Sequence, residues 1–196
     1  MPPSRRDELI DAAMRVYARS GFHHTGLDVV LQEAGVSRMT LYNHFKSKDE
    51  LIVAALRRRD EIFRNRMMKF VESRAADPIG RLLAVFDYHE DWFAARDFCG
   101  CMFINASAEF CDPRSPVRRV AADHKRDVLR YLRDHCETAG LTDPAAVAEH
   151  LNLLLEGAIC AAHVVGRVGL DGATPPAAAR SARAAAEILI AAARAA

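Results

Sequence analysis

Thr25 to Leu51 reads TGLDVVLQEAGVSRMTLYNHFKSKDEL, and its punctuation decides the fold. Thr25, with Asp28 three residues on, suits the start of a helix. Leu27, Val30, Leu31 and Ala34 then recur at helical spacing as one buried stripe. Gly35 ends that helix, because glycine alone takes a left-handed backbone without steric cost. Val36 plugs the angle, and Ser37 caps a second, short helix. Leu41 and Phe45 lie i, i+4 on that helix and must face inward. At about 100° per residue this turns Met39, Thr40 and Asn43 outward, with Tyr42 and His44 on the flanks. Ser47 and Glu50 form a capping box for a third helix, with Lys48 in its first turn. A helix, a tight turn and a short helix with a polar outer face is how a protein presents side chains to the major groove of double-stranded DNA.

Working outward, helical periodicity continues and no strand-like alternation of useful length occurs, so the chain is expected to be all-α. A first helix spans about Arg5 to Ser20, with Leu9, Ile10, Ala13, Met14 and Tyr17 inward. A long helix from Lys48 to about Ser73 is suited to linking two domains. Asp77-Pro78, Ser115-Pro116, Asp143-Pro144 and Thr174-Pro175 each pair a cap with proline at the first helical position. They predict further helices over about 78–95, 101–110, 116–139, 144–166 and 176–194, for about nine in all. Gly166, Gly169 and Gly172 mark a connection before the last of them. The expected domains are a helix-turn-helix unit over 1–47 and a larger body over 48–196.

The 196 residues carry a net charge of only +1, which excludes a general nucleic-acid coating protein. The charge is uneven: residues 1–69 hold 13 Lys/Arg against 9 Asp/Glu, and the remainder is net acidic. A basic front on an acidic body suits a local DNA-facing surface. Arg57, Arg58 and Arg59 belong either to that surface or to a solvated helix face. No apolar run long enough to span a membrane is read, nor a basic-then-apolar leader, so a cytoplasmic protein without a membrane partner is expected. Five cysteines, an odd number without a secreted spacing, are expected as reduced thiols. No glycine-rich phosphate loop, His-Glu-x-x-His helix or Gly-x-Ser-x-Gly turn is present. The chain is therefore expected to have no catalytic residues, metal or cofactor.

GVSRMTLYNHFKSKDEL, together with Gly21-Phe22, Thr25 and the preceding helix, resembles the recognition signature of the TetR family of bacterial regulators. The likeness is specific over Arg6 to about Leu56. Met39 departs from it, since many members carry a small residue there. By chemistry, Thr40, Asn43 and His44 are expected to read base edges, with Arg38 and Met39 as further candidates. By chemistry and by resemblance, Thr25, Ser37, Tyr42, Lys46 and Lys48 are expected to meet phosphates.

The resemblance further implies a homodimer whose last two helices form the subunit interface. Leu151, Leu154, Leu155, Ala158, Ala162 and Val165 on one helix and Ala182, Ala185 and Leu189 on the other are the expected contacts. Two recognition helices on a twofold axis would read a palindromic operator, with half-sites about 34–36 Å or a multiple apart. The resemblance also implies a small-molecule effector in the body that releases DNA. Phe86, His89, Trp92, Phe93, Met102, Phe103, Asn105 and Glu109 are candidate lining residues, apolar with a few polar groups. Glu156, Cys160 and His163 share a face of an apolar helix and are expected to be buried and partnered, as a structural network or as ligand anchors. Two alternatives stand beside this reading: a thiol- or metal-responsive regulator using Cys99 and Cys101, and a constitutive dimer that senses nothing.

Overall fold

The computed structural model describes residues 4–165 and 177–195. Among them are nine helices and no strand: α1 (Arg5–Ser20), α2 (Leu27–Ala34), α3 (Arg38–His44), α4 (Lys48–Arg74), α5 (Pro78–Ala94), α6 (Met102–Glu109), α7 (Pro116–Thr138), α8 (Pro144–Val165) and α9 (Ala177–Ala195). The bounds follow from the caps. The Ser4 hydroxyl accepts from the Asp7 amide to start α1, and the Asp77 carboxylate accepts from the Gly80 amide to start α5. Asp143 does the same for α8 through the Ala146 amide. Ser115 differs: its hydroxyl is buried with no hydrogen-bond partner, so α7 starts on its proline alone. The Gly166–Gly172 connection and the Thr174-Pro175 start lie outside the described residues.

Two compact units emerge, one of residues 1–63 with 101–125, the other of 64–100 with 126–196. The expected boundary at residue 47 is thereby shifted. The first half of α4, all of α6 and the start of α7 join the helix-turn-helix. Their side chains explain why. The His124 ring lies 3.7 Å from the Phe103 ring, nearly parallel, and its Nδ1 is 2.7 Å from the Asp60 carboxylate. This ties α7 to α6 and to α4 inside one core, which also holds Leu9, Tyr17, Phe22, Leu41, Leu51 and Leu56.

In the second unit, α9 packs on α5 and α8. Leu82, Phe86 and Phe93 of α5, Leu151 and Leu155 of α8, and Ala186 of α9 are buried there. Arg180 and Arg183 of α9 reach Glu90 and Asp87 of α5 at 2.8 Å each. Among the described residues, α8 is one helix long and apolar enough to cross a membrane by length and composition. That corrects the expectation of no such run. Here one face of α8 is spent on the core it shares with α5 and α9.

Candidate nucleic-acid interface

The helix-turn-helix forms as its residues dictate. Gly35 is left-handed at φ 64° and ψ 34°, which turns the chain out of α2. The Ser37 hydroxyl accepts from the Thr40 amide at 3.1 Å, capping α3. Leu41 and Phe45 are buried and seat α3 on the core. The opposite side is open: Met39 is 73% exposed, Tyr42 is 51% exposed, and Asn43 and His44 are exposed. Two of the expected base readers are otherwise engaged. The Arg38 guanidinium pairs with the Asp28 carboxylate of α2, and the Thr40 hydroxyl shares a hydrogen bond with Ser37 at 2.9 Å.

At the start of α4, the Ser47 hydroxyl accepts from the Glu50 amide at 3.2 Å. The reciprocal half of the box is displaced by one residue, since the Glu50 carboxylate takes the Lys46 amide at 2.6 Å. Lys46 is exposed, and Lys48 donates its ammonium to the His23 carbonyl at 3.3 Å. Thr25 requires a correction. The residue is buried, its hydroxyl donates to the Gly21 carbonyl at 2.7 Å, and the N-cap of α2 is Gly26, with no side-chain cap. Thr25 thus closes the α1–α2 turn from within and presents no hydroxyl to a phosphate. Arg58 pairs with Asp7 at 2.6 Å, and Arg59 lies over the Phe63 ring.

Glu109 has a structural partner that the sequence did not reveal. Its carboxylate accepts from the Phe22 amide at 2.9 and 3.0 Å and from the His23 amide at 2.6 Å. The His23 ring stacks on Phe110, and its Nε2 donates to the Glu109 carbonyl at 2.9 Å. The last turn of α6 is therefore clamped to the turn that precedes α2. The acceptor and the donors are separated by more than eighty residues, so no local pattern could have revealed the pairing.

The other effector candidates divide between the two units. Met102, Phe103 and Asn105 lie in the first, where Met102 and Phe103 are core. Phe86, His89, Trp92 and Phe93 lie in the second, where the His89 Nδ1 donates to the Val85 carbonyl at 2.8 Å and Trp92 and Phe93 pack on Phe98. Glu156 is half-buried, while Cys160 and His163 are exposed, contrary to the burial expected of them. The His163 ring lies against the Gly100 backbone, so close that a Cβ there would sit 2.5 Å from Nδ1. A groove of 670 Å³ in the first unit, beside the end of α3, mixes Arg6 and Arg57 with Asp49, Glu50 and Glu61. Its charge is unlike the mostly apolar lining of a small-molecule site.

No disulfide joins any of the five cysteines; Cys101 and Cys136 are buried, Cys99 is half-buried, and Cys111 and Cys160 are exposed. No group of three or more potential metal ligands occurs among the described residues. Leu151, Leu155, Ala158, Ala162 and Ala182, expected between subunits, are buried inside the single chain. Leu154, Ala185 and Leu189 are half-buried, and Val165 is exposed. The faces that remain open are Leu153, Gly157, Ala161 and Val164 on α8, and Ala184, Ile188 and Ala191 on α9.

A sequence profile of bacterial regulatory proteins of the tetR family matches residues 9–55, and one of the tetracyclin repressor-like C-terminal domain matches residues 78–169. The chain belongs to the TetR family of bacterial transcriptional regulators. The fold agrees. SCO4454, a TetR-family regulator from Streptomyces coelicolor, superposes with a TM-score of 0.87 at 30% identity, covering 98% of this chain and 91% of the other. The regulator YjdC of Escherichia coli is 24% identical over 158 residues, 79% of this chain and 81% of its own. The repressor NemR of Escherichia coli is 26% identical over 133 residues, 67% of each chain. TetR-family membership places the chain among DNA-binding regulators and not among enzymes.

Proposed function

We propose that this TetR-family chain is a cytoplasmic repressor that binds a palindromic operator as a homodimer and is released by a small-molecule effector. The outer face of α3 carries the reading: Met39, Tyr42, Asn43 and His44 are exposed on a short helix whose opposite side is locked into the core. Dimerisation is supported by the open apolar stripes of α8 and α9, where Leu153 is 68%, Val164 84% and Ile188 72% exposed. Regulation is supported by the Glu109 clamp. A ligand that favours a different position of α6 would draw the α1–α2 turn with it and change how α3 is held.

Repression is the sign carried by NemR, which is named a transcriptional repressor. FasR of Mycolicibacterium smegmatis, 46% identical over 54 residues, is named an activator. The thiol alternative through Cys99 and Cys101 loses support because Cys101 is buried.

The test is selection of genomic fragments by the purified protein at about 150 mM salt, where nonspecific phosphate attraction is weak. Enrichment of one palindrome, together with a dimeric sedimentation profile, is expected. A reporter gene behind that palindrome should rise when the chain is deleted; a fall would make the chain an activator. Binding that no metabolite extract releases would favour the constitutive dimer.

A further inference from the structure

Taking Leu41 as the buried pole of α3, Met39 lies about 160° round the helix on one side and Asn43 about 160° round on the other. The two form the outermost ridge, an i, i+4 pair on the face opposite the core. Their neighbours are accounted for: Arg38 is held by Asp28 and Thr40 by Ser37, while Tyr42 and His44 sit to the sides. Asn43 makes no side-chain hydrogen bond among the described residues, so its amide is available at the tip. Met39 is covered by nothing and is among the most exposed large apolar side chains described.

A base edge in the major groove offers one apolar group only, the 5-methyl of thymine. A carboxamide matches adenine N6 and N7. Building on the DNA-reading role of α3 proposed above, we infer that Met39 is a specificity-determining residue that packs on a thymine methyl within two base pairs of the adenine taken by Asn43. The spacing follows from geometry. Side chains at i, i+4 stand about 5–6 Å apart at Cβ, and base pairs stack about 3.4 Å apart, so the two contacts fall on the same or nearly adjacent steps. Asn43 recognises its base by hydrogen bonds, which uracil and thymine chemistry leaves untouched on the adenine. Met39 recognises its base by removing a methyl from water, which uracil lacks.

The experiment uses the full-length dimer and a palindrome selected from random DNA. Each thymine is replaced by deoxyuridine, first in one half-site and then in both, which deletes the methyl and nothing else. Affinities are measured for the wild type, Met39→Ala, Met39→Leu and Asn43→Ala. One thymine per half-site should prove sensitive. Its replacement should weaken wild-type binding about fourfold for one half-site and about fifteenfold for both. Met39→Leu, still apolar and similar in volume, should keep that sensitivity, and Met39→Ala should abolish it. The sensitive thymine should lie within two base pairs of the adenine whose replacement no longer matters in Asn43→Ala. Equal uracil effects in wild type and Met39→Ala at every thymine would overturn the inference while leaving sequence-specific binding intact. Failure to select any sequence would instead overturn the DNA-reading role of α3, and the inference with it.

Discussion

Removing the Glu109 carboxylate should release the α1–α2 turn. Two backbone donors, Phe22 N–H and His23 N–H, end on that carboxylate at 2.6–3.0 Å. Hydrogen bonds to a charged group contribute about 1.5–3 kcal/mol each, so the pair would be worth about 3–6 kcal/mol if both partners were fully buried. His23 is exposed and Glu109 half-buried, so water replaces part of what is lost. About 2–3 kcal/mol remains for Glu109→Ala after that discount. Glu109→Gln keeps one neutral acceptor and should lose about 1 kcal/mol. Native-state hydrogen exchange of the Phe22 and His23 amides reads this locally, without assuming that the two units unfold together. Exchange should accelerate about 30- to 150-fold in Glu109→Ala and about fivefold in Glu109→Gln. If both amides exchange within about twofold of wild type in Glu109→Ala, the clamp contributes no local stability and the reasoning fails.

Four further outcomes are expected. The Tyr17 hydroxyl is buried without a partner, so Tyr17→Phe should gain about 1 kcal/mol and raise Tm by about 2–4 °C; a lower Tm would show that the hydroxyl is satisfied in solution. Burial pushes the Cys136 thiol up to about 11 from 9.0, so the unfolded chain loses this proton first and the contribution to stability falls as pH rises from 9 to 11. Urea midpoints measured across that range should decline less in Cys136→Ala than in wild type, and parallel declines would exclude the linkage. Ile188→Glu places a carboxylate on the open stripe of α9 and should convert the dimer to monomer in sedimentation at micromolar concentration; an unchanged dimer would move the interface elsewhere. Lys48→Ala should weaken operator and random DNA alike and lower the salt slope by about one per subunit, and an unchanged slope would remove Lys48 from the phosphate contacts.

The elements were written locally and could be read locally. Gly35, Ser37 and the Leu41–Phe45 pair define the turn and α3 by backbone preference and helical period, and the Asp77-Pro78 and Asp143-Pro144 pairs start α5 and α8 where expected. Residues 25–51 were therefore enough to place α3 and its outer face. Tertiary packing decided what each polar group was for. Thr25 looks like a cap, yet its hydroxyl turns inward to the Gly21 carbonyl, in a turn that also buries Phe22. Glu109 looks like a pocket acid, yet it meets two amides from the far end of the unit. On α8, apolar residues occupy both faces, so periodicity could not say which stripe meets α5 and α9 and which stays open. Leu151 and Leu155 went inward, and Leu153 and Val164 were left outside. Local sequence sets backbone conformation through interactions a few residues long. The partner of a side chain is set by which distant segment the folded core brings to it, and that information exists only once the chain has closed on itself.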